Sequence, residues 1–233
     1  MADWASDISF RNCLERLEWE AQRLASRDRE WRVAKQVVRA QQDKSSRADR
    51  AFSFVFVAGA LEDLFRDLNT GIPQDLQQVA VSRHDLRPSA LSILMPKAWE
   101  SISTDRVLKM SKRRTLVEVA NNFYTDFDPI DLSDVTHLGL DDGRTVKPDH
   151  FEALWEGLCL SPSSTTVWIS DRHRQAVVSL GEKRNAIAHF ETDPREEAFR
   201  FTYGDLHDLV NTVSESVERL HEHTIEWLDR FRR

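Results

Sequence analysis

Gly181-Glu-Lys-Arg-Asn-Ala-Ile-Ala-His-Phe190 sets Arg184 and His189 five positions apart, near the end of a segment with helical apolar spacing. An arginine guanidinium carries a permanent charge in a planar fork that fits phosphate oxygens. A histidine imidazole is the side chain suited to moving a proton near neutral pH. Phosphodiester cleavage needs both abilities. At about 100° per residue a five-residue step leaves the two side chains ~140° apart, so one helix cannot bring both to a common face. Two copies meeting across a two-fold axis would pool them. Asn185 and His189, four apart, do share a face. Asn185 can therefore hold the imidazole in one tautomer or offer its own bond to a phosphate.

Working outward, Ser170 or Asp171 can cap the helix that carries this motif. It continues through Ala176, Val177, Leu180, Arg184, Ile187 and Ala188, and Pro194 stops it. The next apolar series is Leu206, Val210, Val213, Val217, Leu220, Thr224, Trp227 and Phe231, which predicts a last helix over about 203–231 with a seam for lengthwise packing. Toward the N-terminus, Phe10, Leu14, Leu17, Ala21, Leu24, Trp31, Ala34 and Val38 predict a helix from Ile8 to about Gln42. A second runs over about 47–68. Its stretch Phe52-Ser-Phe-Val-Phe-Val-Ala-Gly-Ala-Leu61 is apolar on nearly every face and reads as buried, and Asn69-Thr-Gly71 with Pro73 ends it. Shorter helical segments fall near 87–101, 105–123 and 148–160, with a loop at 161–166. Residues 124–147, rich in aspartate, read as an irregular acidic connection, exposed to solvent. A single all-α domain over 1–233, a bundle with long N- and C-terminal helices, accounts for the pattern.

Composition agrees with helix: 233 residues contain only 7 Gly and 7 Pro, with 40% hydrophobic and 30% charged side chains. The net charge of −7 disfavours general coating of nucleic acid while leaving room for a local basic site. Cys13 and Cys159 form no CxxC pair, so neither a disulfide framework nor a zinc ribbon is expected. No apolar run is long enough to span a membrane, and Met1-Ala-Asp-Trp-Ala-Ser-Asp7 lacks a signal-peptide pattern; a cytoplasmic protein is expected.

An arginine followed by a histidine after four to six intervening residues also occurs at Arg144/His150 and Arg200/His207, so spacing alone has little weight. The string Arg184-Asn-Ala-Ile-Ala-His189, with apolar residues before it and a long amphipathic helix after it, resembles the HEPN superfamily (higher eukaryote and prokaryote nucleotide-binding domains). It is most similar to the bacterial RiboL-PSP-type and related branches, which carry an RN-x-I-A-H helix. Gly59-Ala-Leu-Glu-Asp-Leu-Phe-Arg66 is a weaker similarity in the matching position, so the resemblance spans roughly 47–68 and 168–231. It implies a dimeric, HEPN-like helical bundle acting as an endoribonuclease without metal or other cofactor. It further implies a toxin or antiviral-defence role, an RNA substrate and an antitoxin protein as partner. Arg184 would then stabilise charge on the scissile phosphate, and His189 would serve as general base or acid for attack by the neighbouring 2′-hydroxyl. Phe190 stands where that branch commonly has glycine. Glu191 stands where the branch neutralised by nucleotidyl transfer has the tyrosine that receives AMP, so that mode of neutralisation is not expected.

Glu62, or Asp63 with a slight rotation of its helix, is the carboxylate expected to support Arg184 or His189, because a half-buried carboxylate needs a partner. Lys183, Arg172, Arg174 and the run Lys109–Arg114 are candidate RNA contacts, or else a solvated face. The aspartates of 126–142 lack EF-hand spacing. His221 and His223, two apart, point to different faces, so no metal site is expected. The tryptophans, Trp99, Trp155 and Trp227 among them, read as core. Two simpler readings remain: a silent HEPN module binding RNA, nucleotide or a partner protein, or a helix end where His189 answers the dipole and Arg184 pairs with a carboxylate.

Overall fold

Helix start and stop signals are resolved in the computed structural model, which describes residues 4–34, 36–79, 81, 86, 88–94, 138, 145–158, 160, 166–189 and 191–232. At 36–42, 44, 88, 91 and 92 it describes the backbone alone. The described elements are α1 (Ala5–Val33), α2 (Gln36–Gln77), α3 (Pro88–Leu94), α4 (Pro148–Gly157), α5 (Asp171–Ala188), α6 (Pro194–Glu197) and α7 (Tyr203–Asp229). No strand occurs among the described residues, and no described helix is long and apolar enough to cross a membrane.

The core is three long helices laid side by side. Phe10, Cys13, Leu17, Ala21 and Leu24 of α1 are buried at a spacing of three or four, against α2 and α7. Arg23 in the C-terminal half of α1 hydrogen-bonds Asp49 and Ser53 in the first half of α2, while Ser6 meets Asp75 at its end, so the two helices run antiparallel. Asp7 with His221, and Trp4 with Asp229, give α7 the same antiparallel sense against α1. The predicted seam of α7 is buried from Leu206 through Trp227. Thr202 and Asp205 close its N-terminus reciprocally: Asp205 N–H donates to Thr202 Oγ1 at 3.1 Å, and Thr202 N–H to Asp205 Oδ2 at 2.8 Å.

Four expectations are corrected. First, the N-terminal helix stops at Val33 instead of reaching Gln42. Ala34 is extended (φ −64°, ψ 136°) and Val33 is 84% exposed, so the apolar stripe ends at Trp31 and the chain reverses there. Second, α2 therefore begins at Gln36 and continues past Gly71 and Pro73 to Gln77. The mid-helix proline removes the N–H that would bond Asn69 O, and that carbonyl accepts Leu138 N–H at 3.0 Å instead. The backbone of Ser6 packs on α2 at Gly71, where a Cβ would lie 3.4 Å from Ser6 N, an ordinary contact. Third, the apolar stretch of α2 is not buried all round. Phe54, Val57, Ala58 and Leu61 face the core, whereas Phe52 and Val55 are exposed. Fourth, the acidic connection is not wholly exposed, because Leu138, Thr145 and Val146 are buried. Its aspartates, the segment 95–123, the run Lys109–Arg114, Trp99 and Cys159 lie outside the described residues.

Candidate functional site

The motif helix α5 lies on α2 and α7, and is aligned partly by its own N-terminal turn. Ser170 occupies the N-cap position, but its hydroxyl makes no cap bond. It instead meets His173 Nδ1 at 2.8 Å, and His173 Nε2 meets Glu215 Oε2 of α7 at 2.8 Å. Leu180 and Ile187 are buried, and Gly181 faces a short extended strap, residues 145–147, that leads into α4. A Cβ at Gly181 would lie 3.4 Å from Val146 O and 3.6 Å from Thr145 Cγ2. These are ordinary packing distances, so the strap lies directly against the helix at this point.

One turn further along α5, the candidate site assembles from three elements. Arg184 is half-buried, with 26% of its side chain exposed, and its Nη2 lies 3.1 Å from Glu62 Oε1 and 3.3 Å from Oε2. Only the Oε2 contact has hydrogen-bond geometry, which leaves Oε1 buried with no hydrogen bond among the described residues. Arg184 Nη1 reaches Asn185 Oδ1 at 3.3 Å, and Thr145 Oγ1 donates to the same oxygen at 2.6 Å. Asn185 is thus held by Thr145 and Arg184. The imidazole of His189 is not its partner, although its backbone oxygen accepts His189 N–H at 2.9 Å. His189 is the C-cap of α5 (φ −92°, ψ 3°); its side chain is exposed and engages no partner among the described residues.

Of the two carboxylates named for this position, Glu62 meets Arg184. Asp63 turns toward α1, binding Arg16 at 2.7 Å and Arg66 at 2.9 Å, and the Arg16 hydrogen bond holds its carboxyl below the usual range. The other cations are distributed differently from an open basic face. Lys183 is ion-paired with Glu197, whose carboxyl that bond also holds below the usual range. Arg174 meets Glu152 of α4 at 3.0 Å. Arg172 is exposed and has no partner among the described residues. His221 stacks on Phe10 and bonds Asp7, while His223 lies against Trp155, so the two rings do diverge. Trp155 and Trp227 are core; Trp19, 53% exposed, is not.

Thr145 was not among the residues the sequence singled out. Its one signal was the β-branched pair Thr145-Val146 interrupting a polar run just before Pro148. Chemically, the site offers a guanidinium and an amide side by side, with an exposed imidazole one turn beyond. No protein-family model, curated protein or solved structure matches this chain.

Proposed function

We propose that this chain is a metal-independent endoribonuclease of the HEPN type, in which Arg184 and His189 act on the scissile phosphate and its 2′-hydroxyl. The observation that carries the reading is the placement of Arg184: its guanidinium is anchored on one side by Glu62 and Asn185 yet remains partly open to solvent. Anchored donors aimed at developing charge stabilise it without reorganising. His189 draws the proton from the 2′-hydroxyl. The 2′-oxygen bonds to phosphorus as the bond to the 5′-oxygen breaks, and that oxygen takes up a proton. A 2′,3′-cyclic phosphate and a 5′-hydroxyl result.

The angular separation of Arg184 and His189 supports a site shared by two copies. The outward stripe of α2 supports it as well: Phe52, Val55, Gly59 and Glu62 follow one another at three- and four-residue steps, with the first two exposed and open space where a Gly59 Cβ would stand. A toxin or antiviral-defence role, with an antitoxin protein as partner, follows from the resemblance. The second reading, a silent module binding RNA or a partner, is favoured by the neutralisation of Arg184 by Glu62.

Incubating the protein with total RNA in EDTA, beside folded Arg184→Ala and His189→Ala variants, decides between them. Wild type is expected to cut. Loss of the His189 imidazole should slow cleavage by about 10²–10⁴-fold, and loss of the Arg184 guanidinium by about 10²–10³-fold. A 2′-deoxy substitution at the cleaved position should block it. No cleavage of any RNA, tRNA included, would overturn the enzymatic reading.

A further inference from the structure

Asn185 has a fixed orientation, and the groups around it say why. A guanidinium can only donate hydrogen bonds, so the amide atom 3.3 Å from Arg184 Nη1 must be the acceptor, Oδ1. Thr145 Oγ1 donates to that same oxygen at 2.6 Å. Turning the amide over would set an NH2 group against the Arg184 donors and deprive the Thr145 hydroxyl of its acceptor. Nδ2, with two N–H donors, is thus bonded to neither group and meets no acceptor among the described residues.

Thr145 is itself fixed. It is 6% exposed, and the strap that carries it rests on α5 through Val146 O above Gly181, the residue one turn before Asn185. Lys147 N–H donates to His150 Nδ1 at 3.1 Å, and His150 N–H to Lys147 O at 3.0 Å, tying the strap's far end to the first turn of α4. The hydroxyl is therefore presented to α5 from a segment anchored on both sides.

We infer that Thr145 is a positioning residue for an anion clamp: it locks Asn185 so that Nδ2 and the Arg184 guanidinium together grip the non-bridging oxygens of an RNA phosphate. This rests on the proposed RNA-directed function and adds to it a two-donor grip set by a residue 40 positions upstream of Asn185. An arginine alone tolerates several phosphate geometries; a second fixed donor selects one. Thr145 acts on the ligand only through Asn185.

The test is a double-mutant cycle read by the anisotropy of a labelled single-stranded RNA and, in parallel, by single-turnover cleavage. Thr145→Val removes the hydroxyl while keeping the shape, and should weaken RNA binding by about 3–10-fold, the worth of one modest hydrogen bond. Thr145→Ser, which restores the hydroxyl, should bind within about twofold of wild type, and in an Asn185→Ala background Thr145→Val should cost nothing more. A purely structural threonine would give equal losses in both backgrounds, with a matching fall in Tm, and that result overturns the inference. So does a Thr145→Val variant that binds like wild type. RNA binding that follows the cycle without cleavage by wild type supports the clamp and removes the ribonuclease. Cleavage that ignores Thr145 removes the clamp alone. A wild type that neither binds nor cuts RNA removes both.

Discussion

Asp75 and Glu62 are carboxylates on the same helix, α2, thirteen residues apart, and they are treated in opposite ways. Asp75 is fully buried and saturated: Ala5 N–H reaches it at 2.7 Å, Ser6 N–H at 3.0 Å, and the Ser6 hydroxyl bonds it too. Trp4 provides no side-chain cap for α1, so Asp75 caps that helix from a neighbouring one, meeting free N–H groups at the positive end of the dipole. Glu62 is only partly buried, its contacts to Arg184 are 3.1 and 3.3 Å, and one of its oxygens accepts no hydrogen bond among the described residues. The first arrangement spends every acceptor on the fold. The second orients an arginine while leaving part of its side chain open to solvent.

The contrast can be broken most readily at Asp75. Asp75→Ala orphans two backbone donors, one of them buried, and a hydroxyl, and should destabilise the protein by about 2–4 kcal/mol in urea unfolding. A loss below ~1 kcal/mol would mean that α1 is capped by other means. Glu62→Ala should cost less than ~1 kcal/mol, since the pair is partly solvated and its contacts are long. If the proposed ribonuclease reading holds, its effect should show in function instead: the unmasked Arg184 should bind RNA more tightly, while the loss of its anchor should slow single-turnover cleavage about tenfold. If binding and cleavage move together, Glu62 is not an orienting group.

Smaller effects sharpen the picture. Glu197 and Asp63 have carboxyls held below their ordinary range by Lys183 and Arg16. A depressed folded-state value means that this stabilisation is present above the ordinary carboxylate pKa and is lost as pH falls through the depressed one. Urea midpoints measured from pH 7 down to pH 3 should therefore decline, and Lys183→Met should flatten the part due to Glu197. The least change is expected at Cys13. Burial pushes its thiol up to about 12, so the folded protein should leave it unlabelled by a thiol reagent at pH 8. Rapid labelling under native conditions would mean that α1 opens locally.

Periodicity made the long helices readable because burial repeats every three or four residues along one element. The seam of α7 and the core face of α1 as far as Leu24 are direct translations of apolar spacing. Helix ends were less readable. Gly71 and Pro73 are stop signals locally, yet α2 continues, with Ser6 packed against Gly71 and Leu138 supplying the donor for Asn69 O. Neither partner is near in sequence. The aromatic stretch of α2 misled for a related reason: hydrophobicity says that a face prefers burial, not that this chain provides the cover for Phe52 and Val55.

At the candidate site the division is sharper. The sequence by itself determined the helical class, the motif helix, the 140° separation that sets Arg184 apart from His189, and Glu62 or Asp63 as the carboxylate to examine. Only the tertiary structure chose Glu62, because a single residue step turns Asp63 by about 100° toward Arg16 of α1. Only the structure turned Asn185 away from His189 and toward Thr145, a residue from a stretch whose sequence suggested an exposed connection. The reason is physical. Periodicity records how a helix relates to the core as a whole, whereas a hydrogen bond depends on which atoms of distant segments come within about 3 Å, and no local pattern encodes that.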